Sequence, residues 1–462
     1  MKRLLLFSFL IFLPFATYAQ KKLQWDYPIK PGTEEWNKLE SNKAKVGVCQ
    51  IPEDVLRDTS TNDLMTLCLQ YPLLYDVFAF NNANDGLRKL FADFNGIREL
   101  ANREDAITGL QEQYLLNVRN FPEKINKGSS LDLGYAIMHI SALEFLLSYS
   151  DFHHNTSKES QKNVLESLSL GYREKCKYSD YFKEPGFTSN LFARAHVIVK
   201  IDAAQSEKFE GNNKAVLSSG MANTDLIDTI DNLSFVDCYT VMYDIYTPAG
   251  SLIPTLLVCE MSIEAREYQD NYHRLHYPNA QQLITYDGLS TTQQFNCHGY
   301  AWLRVEQGID RGIGIETSDE EAIFIDDNSY MEAGGETFPA KISWRNENGW
   351  PLDHSAVTTE QPDWVISKWG AGGPLCKHYW SDSPFGEGYL KYYIKNCGTL
   401  EGETVNFINR TTYDSPYIYS CGIINSQGVI VTKKTKLVLH AMQEVTINGS
   451  FEVEIGAELE IK

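Results

Sequence analysis

Two short motifs in this chain hold residue types that could do covalent chemistry together. They are Asn296-Cys297-His298-Gly299-Tyr300-Ala301-Trp302 and, downstream, Asp353-His354-Ser355-Ala356-Val357. The polar run Ser290-Thr291-Thr292-Gln293-Gln294 precedes the first motif, and the apolar positions Tyr300, Ala301, Leu303 and Val305 follow it, so a loop runs into a helix near Cys297. A thiol at a helix start faces unpaired backbone N–H groups and the positive end of the helix dipole. Both favour the thiolate, which is the nucleophilic form. The second motif places His354 at the mouth of an alternating, β-rich segment that continues through Trp364-Val365-Ile366-Ser367-Lys368-Trp369-Gly370. A cysteine on a helix start with a histidine on a neighbouring strand is the minimum set for thiol acyl chemistry, Cys297 as nucleophile and His354 as base.

The order of these elements resembles the NlpC-type papain-like cysteine peptidases, many of which cut peptide or amide bonds in bacterial cell walls. Asn296-Cys297-His298-Gly299-Tyr300 stands where that family has an Asp-Cys-Ser-Gly-Phe-like run, and His354-Ser355-Ala356-Val357 where it has a His-Val-Gly-Ile-like run. The likeness spans residues 281–395. A more specific resemblance is to secreted Bacteroidota proteins that share an Asn-Cys-His-x-Tyr-Ala-Trp motif and a later block, here Ser367-Lys368-Trp369-Gly370 followed by Pro374-Leu375-Cys376-Lys377-His378. The family resemblance implies an α+β papain-like domain and a polar residue on the second strand that orients the imidazole. Ser367, Lys368 or His378 fills that third position, and a lysine fits it badly because a nearby cation lowers an imidazole pKa.

Further residues are expected around this pair. Gln294, or Gln293 beside it, supplies an oxyanion donor with the Cys297 backbone N–H. His298, His378 and Trp369 line the substrate cleft or support it, since adjacent helical residues do not share a face. Gly299 lets the helix approach the sheet, and the glycine-dense run 370–373 forms a mobile loop over the cleft. Cys297, His298, His354, Cys376 and His378 include the ligand types of zinc, but no tight Cys-x-x-Cys or His-x-x-x-His spacing occurs. No metal and no cofactor is expected.

Composition bounds the partners. The chain has 462 residues, 43% apolar and 12% aromatic, ample for packed cores. A formal charge of −20 argues against nucleic acid and anionic membrane surfaces. Met1-Lys2-Arg3, the apolar residues 4–15 and Thr17-Tyr18-Ala19 read as a cleavable signal segment over residues 1–19, too short to span a bilayer. Export to the periplasm, cell surface or medium follows, with no membrane span. Nine cysteines leave at least one thiol unpaired within a single chain, and wide spacing assigns no disulfide.

The expected fold is multidomain. An α-helical N-terminal domain covers 50–205, with three-to-four periodicity at 63–69, 86–92 and 107–118 and a uniformly apolar, buried helix at 134–147. Ser60-Thr61-Asn62-Asp63 and Thr156-Ser157-Lys158-Glu159 read as helix caps, and a polar linker begins near 207–214. The papain-like domain covers 210–398 and opens with a hairpin whose turn is Thr247-Pro248-Ala249-Gly250. A small all-β module covers 400–462, with strands at 429–432, 436–439, 444–447 and 451–455 and a break at Asn448-Gly449-Ser450. It resembles the small stacked-β modules near the C-termini of secreted Bacteroidota proteins, and a surface-attachment, stalk or binding role is expected of it. The functional expectation is a secreted cysteine hydrolase of a peptide or cell-wall-type bond. The alternative is an inactive papain-like shell acting in surface binding or adhesion.

Overall fold

The computed structural model describes residues 25–81, 83–154, 156–183, 239–313, 321–345, 351–386 and 388–462, with single positions at Ser189, Ala193 and Val197. The expected signal segment and the polar linker lie outside the described residues. An N-terminal helical region precedes a β-rich region containing several sheets.

Local chemistry sets the helices. Ser60 and Ser157 accept the N–H of Asp63 and Ser160, and Ser129 forms a reciprocal capping box with Asp132. The box opens the Ser130–Ser148 helix, in which every residue from Ala136 to Ser148 is buried. By length and composition this helix could cross a membrane, but 78% of its apolar window is buried inside the protein. It packs against a helix that hydrophobic periodicity does not announce, Ile263–His276, and the two approach so closely that a Cβ on Gly134 would lie 2.1 Å from the Glu264 carbonyl oxygen.

The hairpin β1 (Tyr239–Tyr246) and β2 (Leu252–Val258) forms as expected. Beyond it lie β3 (Gln281–Gln282), β4 (Tyr330–Glu332), β5 (Lys341–Arg345), β6 (Pro351–Thr358), β7 (Trp364–Lys368), β8 (Leu375–Tyr379) and β9 (Tyr389–Lys395). They make one antiparallel seven-stranded sheet in the order β3-β8-β7-β6-β5-β9-β4. Its two faces have different neighbours. Ile342, Trp344, Ala356, Val365 and Cys376 join the core of the N-terminal helices, so one interior runs through both regions. Val357, Ile366 and Leu375 face the other way, toward Phe295 and Tyr300 of the cysteine motif.

The C-terminal strands β10 (Thr404–Ile408), β11 (Thr411–Thr412), β12 (Tyr417–Ser420), β13 (Ile423–Val431), β14 (Lys436–Ala441), β15 (Glu444–Val453) and β16 (Glu458–Ile461) pair only in parallel. The chain therefore winds as stacked coils around a core of Val405, Phe407, Ile418, Ile424, Leu437 and Leu439. Asn448-Gly449-Ser450 is not a break between strands. Asn409 (φ 53°), Gly428 (φ 63°) and Gly449 (φ 68°) adopt left-handed backbone in successive coils, a repeated bend inside the strand stack. Cys397 and Cys421 are disulfide-bonded at the base of this module, a bridge the spacing does not disclose.

Candidate functional site

Cys297 opens a helix. The Asn296 side-chain oxygen accepts the Gly299 N–H at 2.8 Å, as an N-cap should, and the Tyr300 N–H reaches the Asn296 carbonyl at 2.9 Å. The helix continues as a π-turn over Gly299–Arg304 and a last turn at Val305–Gln307. Gly299 does permit close approach, but to a loop rather than to the sheet: a Cβ there would lie 1.9 Å from the Arg311 carbonyl oxygen. Cys297 is fully buried, and its Sγ accepts a hydrogen bond from Asn81 Nδ2 at 3.0 Å. Asn81 belongs to the N-terminal helical region, just after the turn Leu74–Ala79.

Lys368 lies on the sheet face that receives the Cys297 helix, since it pairs with Leu375 on β8. It is fully buried, and its Nζ donates to the carbonyls of Gly370 at 3.0 Å and Ala371 at 3.4 Å. Burial pushes its pKa down to about 7, against the opposing pull of Glu260 and then of Cys297. The turn that follows is not a mobile loop. Gly370 (φ 61°) sits so tightly on the helical region that a Cβ would meet the Ala79 carbonyl oxygen at 2.3 Å. Segment 78–81 and the β7–β8 turn thus clamp each other, the first placing Asn81 on the thiol and the second holding Lys368 Nζ on its carbonyls.

Two carboxylates, Asp270 buried and Glu260 half-buried, brace the loop that leads into Cys297. Asp270 accepts the N–H groups of Ser290 and Thr291, both at 2.8 Å, and Glu260 accepts that of Gln293 at 2.9 Å. The Arg266 guanidinium reaches the Thr291 and Tyr286 carbonyls. Asn81, Glu260 and Asp270 were not foreseen, and nothing local in the sequence marks them.

His354 does not take the place expected of it. Its ring stacks on Phe385 at 3.5 Å and meets Trp344 edge-on at 4.7 Å, within the core shared with the helices. Neither ring nitrogen has a hydrogen-bond partner among the described residues, so no bond to Cys297 is made. Burial, with His378 and His298 nearby, holds its pKa well below the ordinary histidine value. Ser355, the next residue, faces the opposite way. Its Oγ contacts His298 Nδ1 at 2.8 Å and accepts the Trp302 Nε1–H at 3.2 Å.

The other expected residues divide between the two faces. Ser367 bonds His378 Nε2 at 2.8 Å, and Trp369 is buried against His273 and Tyr277, all toward the helices. Gln294 spends its amide on the Val258 carbonyl at 3.3 Å, so it supplies no oxyanion donor in this arrangement. His298 lies on the thiol side but turns into the sheet, where Glu321 approaches its Nδ1 at 3.1 Å. Burial raises the Glu321 pKa, yet the hydrogen bond and charge of His298 and the hydroxyls of Ser343 and Ser355 outweigh that and leave it below the usual range. Ser355, His298 and Glu321 have the composition of a hydrolase triad. The serine and the carboxylate meet the same ring nitrogen, however, and Ser355 Oγ donates directly to Glu321, so the imidazole does not stand between them as a triad requires.

No family model, curated protein or solved structure matches this chain. The side chains around Cys297 hold the chemistry: a thiol at a helix start, an amide donor on its sulfur, and a buried amine poised near neutrality on the facing strand.

Proposed function

We propose that the chain is an exported thiol hydrolase or acyl transferase of a peptide-like bond, with Cys297 as nucleophile and Lys368, rather than His354, as its proton partner. The observation that carries this reading is the shared face: the helix that begins at Cys297 packs where Lys368 is buried, with a pKa of about 7 and the sulfur within its electrostatic reach. A general base works best with a pKa near the operating pH. A neutral amine also has two N–H groups for the carbonyls of Gly370 and Ala371, leaving its lone pair for a proton. A helix-start cysteine on an antiparallel sheet agrees with the papain-like arrangement that the motif order suggests.

The steps balance as follows. Lys368 takes the Sγ proton, and the thiolate attacks the substrate carbonyl carbon. The oxyanion is met by the Asn81 amide and the N–H groups of the helix start. The C–N bond breaks, and the leaving amine takes the proton from the Lys368 ammonium. Water, or an acceptor amine, then attacks the thioester, gives its proton to Lys368, and the sulfur leaves as thiolate. Because Cys297 and Lys368 are buried, segment 78–81 must open to admit substrate and close again over it, which brings Asn81 to the oxyanion. The stacked-β module is suited to surface attachment and takes no part in these steps.

That same burial favours a second reading, an inactive shell used for binding. Thiol labelling with a small electrophile across pH separates the two, the labelled site being identified by peptide mapping because Cys176 is an exposed thiol. Labelling at Cys297 that slows in Lys368→Met and is unchanged in His354→Phe supports the enzyme. Labelling at Cys297 that ignores Lys368 leaves the shell.

A further inference from the structure

The sheet face that receives the Cys297 helix continues past it into a separate cavity of about 270 Å³, closed by the stacked-β module. Its floor is one cross-strand row. Gln281, Lys377, Ile366, Val357, Lys341 and Tyr393 stand opposite one another in register across β3, β8, β7, β6, β5 and β9. All six line the cavity, and Pro416, Tyr417 and Val438 of the module roof it. Cys297, Lys368 and His354 are not among its walls.

The charges around this space are nearly all committed. Glu306 pairs with Lys341 at 2.8 Å and Lys395 at 3.2 Å, Lys395 also with Glu403, and Lys436 with Glu460 at 2.6 Å. Glu360 has Lys462 at 3.9 Å, and Asp414 lies in the field of Arg304 and Arg410. Lys377 alone among the lining lysines has no ion pair or side-chain hydrogen bond among the described residues. It is half-buried on the floor, next to the apolar surface of Ile366 and Val357.

A cavity slightly below the usual 300–1,000 Å³, mostly apolar and aromatic, with one uncommitted cation, has the makeup of a site for a small organic acid. We propose that it binds an aryl or alkyl carboxylate, the acid group on Lys377 and the body over Ile366 and Val357 beneath Tyr417. The inference stands apart from the chemistry at Cys297 and survives if that reading fails.

The test uses two fluorescent probes that differ in charge, anilinonaphthalene sulfonate and the neutral N-phenylnaphthylamine, titrated into the full chain. Lys377→Met should weaken the anionic probe about ten-fold, the loss of ~1.4 kcal/mol of charge recognition. It should leave the neutral probe within about two-fold. Ile366→Trp, which fills the floor, should abolish both, and Tyr417→Ala at the roof should weaken both if the filled variant does not fold. 4-Phenylbutyrate should displace the anionic probe and 4-phenylbutylamine should not. Absence of binding, binding indifferent to Ile366 and Tyr417, or equal effects of Lys377→Met on the two probes would overturn the proposal.

Discussion

Asn81 donates its side-chain N–H to Cys297 Sγ at 3.0 Å across 216 positions of sequence. The helical region is therefore joined to the thiol directly and is more than a scaffold beside it. Two roles follow from one contact: in the closed state the amide covers the sulfur, and in turnover it can meet the oxyanion. Asn81→Ala is expected to speed labelling of Cys297 while lowering turnover about 10²-fold or more, the usual cost of a lost oxyanion donor. Faster labelling with unchanged turnover would reduce Asn81 to a cover.

Lys368 makes a signed pH prediction. Its ordinary value of 10.5 falls to about 7 in the folded chain. Between those limits the unfolded chain holds the extra proton, so stability rises with pH across that window and is flat below it, by about 1.4 kcal/mol per unit of depression. Lys368→Met should reduce that rise, measured as urea midpoints from pH 7 to 10, without abolishing it, since burial lowers Lys45, Lys175 and Lys341 too, and should abolish turnover. A slope unchanged in the variant would assign the proton elsewhere.

His354 predicts the opposite pattern on activity. Its unpartnered nitrogens are buried between Phe385 and Trp344, so an apolar ring should serve better there. His354→Phe is expected to keep labelling and turnover near those of the parent chain and to raise stability by about 1 kcal/mol. A folded pKa far below 6.5 also means that stability is lost as pH falls below that value, because the unfolded histidine gains the proton. The variant should soften this loss without abolishing it, since His139, His273, His276 and His378 are depressed by burial too. Loss of turnover in a folded His354→Phe protein would restore the histidine as base.

The sequence makes some of this legible and hides the rest for physical reasons. Helices at 61–69, 106–127 and 130–148 declare themselves because most of their buried residues are apolar. The Ile263–His276 helix buries Arg266, Gln269, Asp270, His273 and His276, so a hydrophobic pattern passes over it, although it holds the loop to Cys297. Strand alternation puts His354 and Ser355 on opposite faces, but only tertiary packing decides which face the cysteine helix takes. Once His354 belongs to the other face, the misfit of Lys368 beside an imidazole disappears. Asn81 leaves no trace at all, because its partner is remote in the chain. In the C-terminal module the strands and their stacking are visible while their parallel pairing is not, and a glycine bend inside β15 reads like a turn.

That repeated bend allows a comparison between two glycines of the same conformation. Gly428 and Gly449 both have positive φ, so alanine at either costs about 1–2 kcal/mol from the backbone alone. Their surroundings differ. A Cβ on Gly428 would lie 2.3 Å from the Asn409 side-chain oxygen, inside the coil stack, whereas one on Gly449 would meet the Gln427 side chain at 3.3 Å on the last coil described. The Asn409 backbone is held left-handed with its N–H on the Gln427 carbonyl, so relief at Gly428 requires the Asn409 side chain to change rotamer. Gly428→Ala should therefore destabilise the module clearly more than Gly449→Ala, read as faster hydrogen exchange across residues 404–453. Cys297 labelling should be the same in both, since these coils share no contact with Asn81 or Lys368 among the described residues. Equal effects of the two substitutions would mean that Asn409 relaxes, and that backbone conformation rather than packing sets the cost at this corner.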